Sequence, residues 1–181
     1  MISKFKNNTL VFILVLASFM GCKDQKPKEK ETTENEQTKK ENSRDLNLFF
    51  DGVFSNDDEV VLHFEDIEGM DSIRNSLKGM PNNWQRVTYR FPEETIPYGF
   101  SLTFSDESTN KIKFDKIVLN RMDDRIIIKD STLLVYFKLK NLQHRFEGNK
   151  LILEKSSQNG SAQIISKENL NSRIENRYTQ Y

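Results

Sequence analysis

The amino-acid sequence predicts an all-β domain, a two-layer β-sandwich that is jelly-roll-like and has about eight strands. Two observations indicate this fold. From Leu46 onward, short apolar runs alternate with polar turns at fairly even spacing, which is typical of all-β chains. The chain also contains 13 phenylalanines, which supply enough bulky apolar surface to fill a core between two sheets.

Three early segments alternate apolar and polar residues, which gives each a single apolar face: Glu59–Glu65, Trp84–Phe91 and Phe100–Phe104. The intervening stretch Asp66–Asn83 breaks this alternation. Ile73 and Leu77 are four residues apart there, which fits a short helix or a loop that Gly79 and Pro81 would end.

The segment Lys111–Leu119 contains two apolar pairs in opposite phase. Ile112 and Phe114 point to one face of an ideal strand, whereas Ile117 and Leu119 point to the other. Because the side-chain period of a strand is two, both pairs share a face only if the strand is interrupted. We therefore predict a bulge or bend near Asp115-Lys116.

The later part of the chain contains further strand-like segments and one helical pattern. Leu170, Ile174 and Tyr178 follow helical spacing, with Ser166 as a candidate N-cap; Ser166–Tyr181 is therefore a short C-terminal helix or a frayed tail. The strands or near-strands that precede it are Arg125–Asp130, Thr132–Lys140, Lys150–Glu154 and Ala162–Ile165.

The N-terminus has the layout of a signal peptide. Lys4 and Lys6 precede an apolar run from Leu10 to Met20, which is the length expected of a signal-peptide core. A membrane helix is the alternative, but the run is shorter than the ~20 apolar residues that span a bilayer. We predict that residues 1–21 are the signal peptide.

Gly21 and Cys22 close the apolar run, and this ending resembles the lipobox of bacterial lipoproteins. In that family cleavage falls before the cysteine, whose thiol is alkylated by a diacylglyceryl group. The resemblance implies cleavage between Gly21 and Cys22, lipidation of Cys22 and attachment to a membrane through the lipid. Lys23 follows in place of the aspartate that retains some lipoproteins in the inner membrane. We therefore expect an outer-membrane location in the cell envelope, with surface exposure as a further expectation from Cys22-Lys23-Asp24.

The segment Lys23–Asp45 has no aliphatic or aromatic residue and carries seven basic and seven acidic residues. Such a composition cannot bury enough apolar surface to offset the entropy of ordering the chain. We therefore predict a disordered, charged tether over residues 22–45, followed by the β-sandwich over residues 46–181.

The order of four segments resembles a group of small Gram-negative envelope lipoproteins and glycosyltransferase-associated modules with a sandwich like that of carbohydrate-binding modules. The segments are Trp84–Pro92, Phe100–Ser105, Ile112–Leu119 and Tyr136-Phe137, within a likeness that covers roughly Val60 to Leu153. Members often carry an arginine and an aspartate where this chain has Ser101 and Thr103. The resemblance therefore implies the fold more than a ligand.

No residue pattern predicts catalysis, a metal or a cofactor, and we expect no enzymatic activity. His63 and His144 have no spaced ligand partners, and adjacent acids such as Asp123-Asp124 are typical of solvated turns. Basic and acidic residues are equal in number, which argues against nucleic acid as a partner.

Aromatic residues are the remaining candidates for ligand binding. Trp84, Tyr89 and Tyr98 are close together in sequence, and sugars commonly stack on aromatic rings; the alternative is that Trp84 and Tyr89 belong to the core. We expect a non-catalytic, lipid-anchored sandwich that binds a glycan. The alternative is a structural or assembly lipoprotein that docks on another envelope protein.

Overall fold

The structure is a computed structural model that describes residues 44–106, 109–155 and 160–179. The predicted signal peptide, the Gly21-Cys22 cleavage and lipidation site, and all but the last two residues of the predicted tether lie outside the described residues. The described residues therefore belong to the domain that begins at Leu46 and to the two residues that precede it.

Strands dominate the described residues, with two short helices. Helix α1 spans Leu133–Tyr136 directly after a 3₁₀ turn at Asp130–Thr132, and helix α2 spans Glu168–Tyr178. The strands are β1 (Asn47–Phe54), β2 (Asp58–Asp66), β3 (Gly69–Leu77), β4 (Gln85–Arg90), β5 (Gly99–Phe104), β6 (Asn110–Arg121), β7 (Asp124–Lys129), β8 (Phe137–Lys140), β9 (Leu142–Glu147), β10 (Lys150–Lys155) and β11 (Gln163–Ser166).

The strands form two antiparallel sheets. One has the order β4-β1-β6-β10-β9, and β7 joins it as a sixth strand by pairing with the second half of β6. The other has the order β3-β2-β5-β11-β8. The predicted two-layer β-sandwich is confirmed, with eleven strands in the described part of the chain in place of about eight.

The core lies between the sheets because alternate residues of each strand point inward. Phe50 of the six-stranded sheet meets Phe104 of the five-stranded sheet at a centroid distance of 6.2 Å, in an edge-to-face geometry. Phe64 packs in the same way against Phe91, at 5.0 Å. Edge-to-face contacts are favoured between aromatic rings, so the phenylalanines join the two layers.

The predicted interruption of Lys111–Leu119 is confirmed as a β-bulge. Asp51 of β1 pairs with Lys116, whereas the next residue, Gly52, pairs with Phe114, which leaves Asp115 without a partner on β1. The extra residue resets the phase of β6, and both of its apolar pairs therefore face the core. A Cβ on Gly52 would lie 3.0 Å from the carbonyl oxygen of Lys113, so a larger residue opposite the bulge would push this backbone away by a few tenths of an ångström.

Two sequence predictions about individual elements were wrong. The segment expected to be a short helix or loop is strand β3, paired with β2 along its whole length. Ile73 and Leu77 are four residues apart. This spacing puts two residues on one face of a helix, and because side chains alternate with a period of two along a strand, it puts them on one face of a strand as well. Thr132–Lys140 is a strand only from Phe137, and the preceding turn is helical, which leaves Val135 exposed while Leu133 is buried.

The C-terminal helix is confirmed, and Leu170, Ile174 and Tyr178 are fully buried. The predicted N-cap is wrong by one residue, because Lys167 occupies that position. The Ser166 hydroxyl instead accepts a hydrogen bond from the backbone N–H of Phe100 at 2.9 Å. Helix α2 follows directly and closes the end of the sandwich at which β5 begins.

A buried ion pair joins the sheets at the opposite end. The Lys155 ammonium at the end of β10 lies 2.7 Å from the carboxylate of Asp58 at the start of β2, and both side chains are inaccessible to solvent. Lys155 also donates to the carbonyl oxygen of Ser105. The Asp58 carboxylate also accepts hydrogen bonds from the backbone N–H groups of Glu59 and Ser105 and from the side-chain amide of Asn110.

We predict that Lys155→Met destabilises the domain by about 3–5 kcal/mol, because it leaves the Asp58 carboxylate buried without its counter-ion. Chemical denaturation measures the change. Lys78→Met is the matched control, since it removes an ammonium from an exposed pair with Asp57 and costs much less. Equal losses for the two variants would contradict this account of the buried pair.

We also predict that stability falls between about pH 10 and pH 12. Burial raises the pKa of the Tyr178 phenol to about 12, whereas an unfolded chain ionises near 10. The contribution of the un-ionised Tyr178 phenol to folding stability is therefore complete below about pH 10, and it is lost as the pH rises through the pKa that this phenol has in the folded state. Denaturant unfolding from pH 8 to 12 should show a shallower decline for Tyr178→Phe, with exposed Tyr98→Phe as control. An identical decline in the wild type and Tyr178→Phe would refute the assignment.

Candidate binding face on the six-stranded sheet

The outer face of the six-stranded sheet carries an ordered array of side chains across β4, β1, β6 and β7. Strand register places them in three rows. The first basic row is Arg86, Asp51, Lys116 and Lys129; the apolar row is Thr88, Phe49, Val118 and Ile127; the second basic row is Arg90, Asn47, Asn120 and Arg125. Neighbouring rows are about 7 Å apart, because two residues of a strand separate them.

A cleft of about 410 Å³ lies over these rows, and we call it the basic cleft. Among the described residues its lining includes four cations and no carboxylate. The lining residues are Phe49, Arg86, Lys116, Val118, Asn120, Arg125, Ile127 and Lys129.

Two of the four cations share one carboxylate. Arg86 donates to both oxygens of Asp51, at 2.8 and 2.7 Å, and its guanidinium carbon lies 4.8 Å from the centre of the Phe49 ring. Lys116 lies 3.3 Å from the same carboxylate. Arg125 donates to the neutral amide of Asn120, and neither Arg125 nor Lys129 forms an ion pair with a described carboxylate. The basic cleft therefore has an excess of positive charge.

A second cleft of about 380 Å³ lies further along the same face, and we call it the tryptophan cleft. Its lining combines an aromatic ring, apolar side chains and convergent polar groups. The lining residues are Val53, Ser55, Pro81, Asn82, Trp84, Lys111, Lys113, Glu147 and Ile152. Trp84 is 50% exposed, and the Lys150 ammonium lies 5.7 Å from the centre of its ring.

A chain of ion pairs connects the two clefts. Lys150 lies 3.2 Å from Asp115, Asp115 lies 3.1 Å from Lys116, and Lys116 contacts Asp51. Burial raises the pKa of the Asp115 carboxyl, but hydrogen bonds from Lys116 and Lys150 outweigh it and the net pKa is lowered. The hydrogen bond to Asp115 raises the pKa of Lys116. Asp115 and Lys116 are therefore charged at neutral pH, and the chain of ion pairs makes the clefts one continuous polar face.

The three aromatic candidates occupy different environments. Trp84 lines the tryptophan cleft. Tyr89 is fully buried and donates its hydroxyl hydrogen bond to the Val60 carbonyl oxygen at 2.9 Å. Burial also raises its pKa. Tyr89 is thus a core residue with no ring face for a ligand.

Tyr98 is 52% exposed but lines a separate cavity of about 530 Å³, which we call the acidic cleft. This cleft lies where the β2–β3 turn, the loop after β4 and helix α2 meet. Ile67, at the tip of the turn, is 87% exposed. The acidic cleft combines these two exposed apolar side chains with five carboxylates, those of Asp66, Glu68, Glu93, Glu94 and Glu175.

Ser101 and Thr103 lie on the outer face of the five-stranded sheet. Ser101 is opposite His63, and Thr103 accepts a hydrogen bond from the Gln163 amide at 3.3 Å. Both are partly buried. His144 is on the other sheet, and no group of three or more His, Cys, Asp or Glu that suits a metal ion occurs within residues 44–106, 109–155 and 160–179.

Sequence reasoning missed Phe49, Arg86, Arg125 and Lys129 as members of a common face. The available signal was weak: the outward positions of Gln85–Arg90 and Asp124–Lys129 are rich in arginine and lysine. These residues come together only through the strand order β4-β1-β6-β7, which the local alternation does not determine.

Comparisons with protein-family models, with curated proteins and with solved structures gave no match to this chain. In the part of the chain that the structure describes, no helix combines the length and apolar character needed to cross a membrane. Because those comparisons gave no match, the functional proposal rests on the side chains of the outer face of the six-stranded sheet.

Proposed function

We propose that the protein is a lipoprotein of the Gram-negative cell envelope, anchored to the outer membrane through Cys22, whose β-sandwich binds a glycan without catalysing a reaction. The observation that carries the glycan proposal is the half-exposed Trp84 ring in a cleft lined by polar groups. Binding sites for small ligands typically combine apolar or aromatic surface with a few convergent polar groups. The C–H face of a sugar ring packs on such an aromatic surface.

The polar residues around Trp84 suit sugar hydroxyls. The Asn82 amide and the Lys111 ammonium supply donors, and the Glu147 carboxylate supplies acceptors. Lys111 and Arg145 lower the pKa of Glu147 through hydrogen bonds, so this carboxylate is ionised at neutral pH. Donors and acceptors thus line the same cleft as the ring, with Lys111 and Glu147 also paired to each other at 3.1 Å.

The position of the tryptophan cleft supports display away from a membrane. The proposed tether ends at Asp45, two residues before β1 begins at Asn47, and Val53 of the tryptophan cleft is six residues further along that strand. Six strand residues span about 20 Å. Val53 is therefore about 20 Å along the sheet from the residue at which the first strand of the domain begins.

We predict that Trp84→Ala weakens glycan binding by tenfold or more, equivalent to about 1.4 kcal/mol, because the stacking surface is lost. The detergent-solubilised full chain is screened on a glycan array, and the affinity of each hit is measured by calorimetry. Tyr98→Ala is the matched control, since Tyr98 is equally exposed but lines another cavity. Absence of binding to every glycan would overturn the proposed function.

The acidic cleft favours the alternative, a structural or assembly lipoprotein that docks on another envelope protein. Exposed apolar residues such as Ile67 and Tyr98 within a polar rim are typical of protein contacts. On this alternative Tyr98→Ala abolishes co-purification of the partner from solubilised envelopes, and Trp84→Ala leaves it unchanged. The two substitutions therefore separate the two functions.

We predict that Cys22→Ala moves the protein out of the membrane fraction and abolishes fatty-acid labelling, because no thiol remains to accept the diacylglyceryl group. Fractionation and metabolic labelling measure both effects. Ser18→Ala, a change within the apolar run, should leave both unchanged. A labelled, membrane-bound Cys22→Ala variant would disprove the anchor.

A further inference from the structure

The distribution of charge on the outer face indicates what kind of glycan it binds. Arg125 and Lys129 end the two basic rows on β7, with Ile127 of the apolar row between them. We propose that the ligand is an acidic polysaccharide, whose carboxylate or sulfate groups bind in the basic cleft while its chain continues into the tryptophan cleft. This inference rests on the proposed glycan binding and adds the class of glycan.

The need for an anion follows from the balance of charges. Asp51 is shared by Arg86 and Lys116, and Asp115 also contacts Lys116. Arg125 and Lys129 are exposed and have no described carboxylate as partner. Clustered like charges repel one another, so a bound anion lowers the energy of the cluster, whereas a neutral glycan leaves the repulsion in place.

The spacing of the rows fits a chain of charged rings. Arg125 and Lys129 are four residues apart on β7, which corresponds to about 13–14 Å. Ile127 is between them with 49% of its surface exposed, and Val118 of β6 separates it from the partly buried Phe49 in the apolar row. An acidic sugar unit can place its C–H face on this apolar row and direct its anionic group to either basic row.

The face suits a polysaccharide better than a nucleic acid. Proteins that bind single-stranded nucleic acid stack successive bases on several aromatic side chains. Two rings from the described part of the chain line these clefts, and the Arg86 guanidinium lies over one of them, Phe49, which leaves Trp84 as a single stacking surface. The whole chain also has no net positive charge, which argues against general attraction to nucleic acid. The tryptophan cleft begins four residues along β1 from Phe49, at Val53, so a chain of a few sugar units reaches both clefts.

The test uses the detergent-solubilised full chain with polygalacturonate, dextran sulfate and neutral dextran as probes. We expect the wild type to bind at least one acidic polymer tenfold or more tightly than dextran, with affinity that falls as salt rises. Arg125→Gln/Lys129→Gln should lose at least tenfold in affinity for the acidic polymer and lose much of the salt dependence. Thermal unfolding verifies that each variant is folded.

The matched control is Lys138→Gln/Lys140→Gln, which removes the same charge from exposed positions on β8 of the other sheet. It should bind the acidic polymer as the wild type does. Equal losses in both double variants would show general electrostatic attraction and overturn the inference. The inference is also overturned if single-stranded DNA or anionic phospholipid vesicles bind as tightly as the acidic polymers through Arg125 and Lys129.

The two proposals fail in different ways. If binding to neutral glycans depends on Trp84 while acidic polymers bind no more tightly, the acidic class is wrong and the glycan-binding function stands. If the array, the acidic polymers and dextran all give no binding to the folded chain, both proposals are wrong.

Discussion

The ion pair between Asp58 and Lys155 is the interaction on which the assembly of the two sheets depends at one end of the sandwich. It joins β2 of one sheet to β10 of the other, and Asn110 extends it to β6 and to the chain after β1. Removing two charges from water is costly, and the surrounding N–H groups and the Ser105 carbonyl offset that cost. At the other end, α2 closes the core with apolar side chains and with the Tyr178 hydroxyl bonded to Leu119.

Between these two ends, the bulge at Asp115 determines both the core and the outer face. It returns Ile117 and Leu119 to the interior, and by the same shift of phase it turns Lys116 outward beside Asp51. The extra residue itself contributes the carboxylate that connects Lys116 to Lys150. A single inserted residue therefore makes the core continuous and places the charged bridge between the basic and tryptophan clefts.

The parts of this structure that the sequence predicts are those governed by local period. The two-layer sandwich follows from the alternation of apolar and polar residues within each strand, and the bulge follows from the change of phase within β6. The buried face of α2 follows from the spacing of residues such as Leu170 and Ile174. The hydrophobic period does not distinguish a helix from a strand where both accommodate the same spacing, as with Ile73 and Leu77 of β3. It also carries no information on strand order, so the rows that place Arg86 beside Asp51 and Lys116 beside Lys129 could not be predicted. The pairing of Asp58 with Lys155, 97 residues apart, is beyond any local pattern.

The same register that made the face unpredictable makes its chemistry specific. Each row crosses four strands, so any residue in it has fixed neighbours at strand spacing, and rigid sheet positions hold side chains more reproducibly than loops do. Asp51 pairs with Arg86 and Lys116 of the first basic row, whereas Lys129, at the β7 end of that row, forms no ion pair with a described carboxylate. The face thus separates cations that stabilise the sheet through ion pairs from Arg125 and Lys129, which are exposed on β7 and form no ion pair with a described carboxylate.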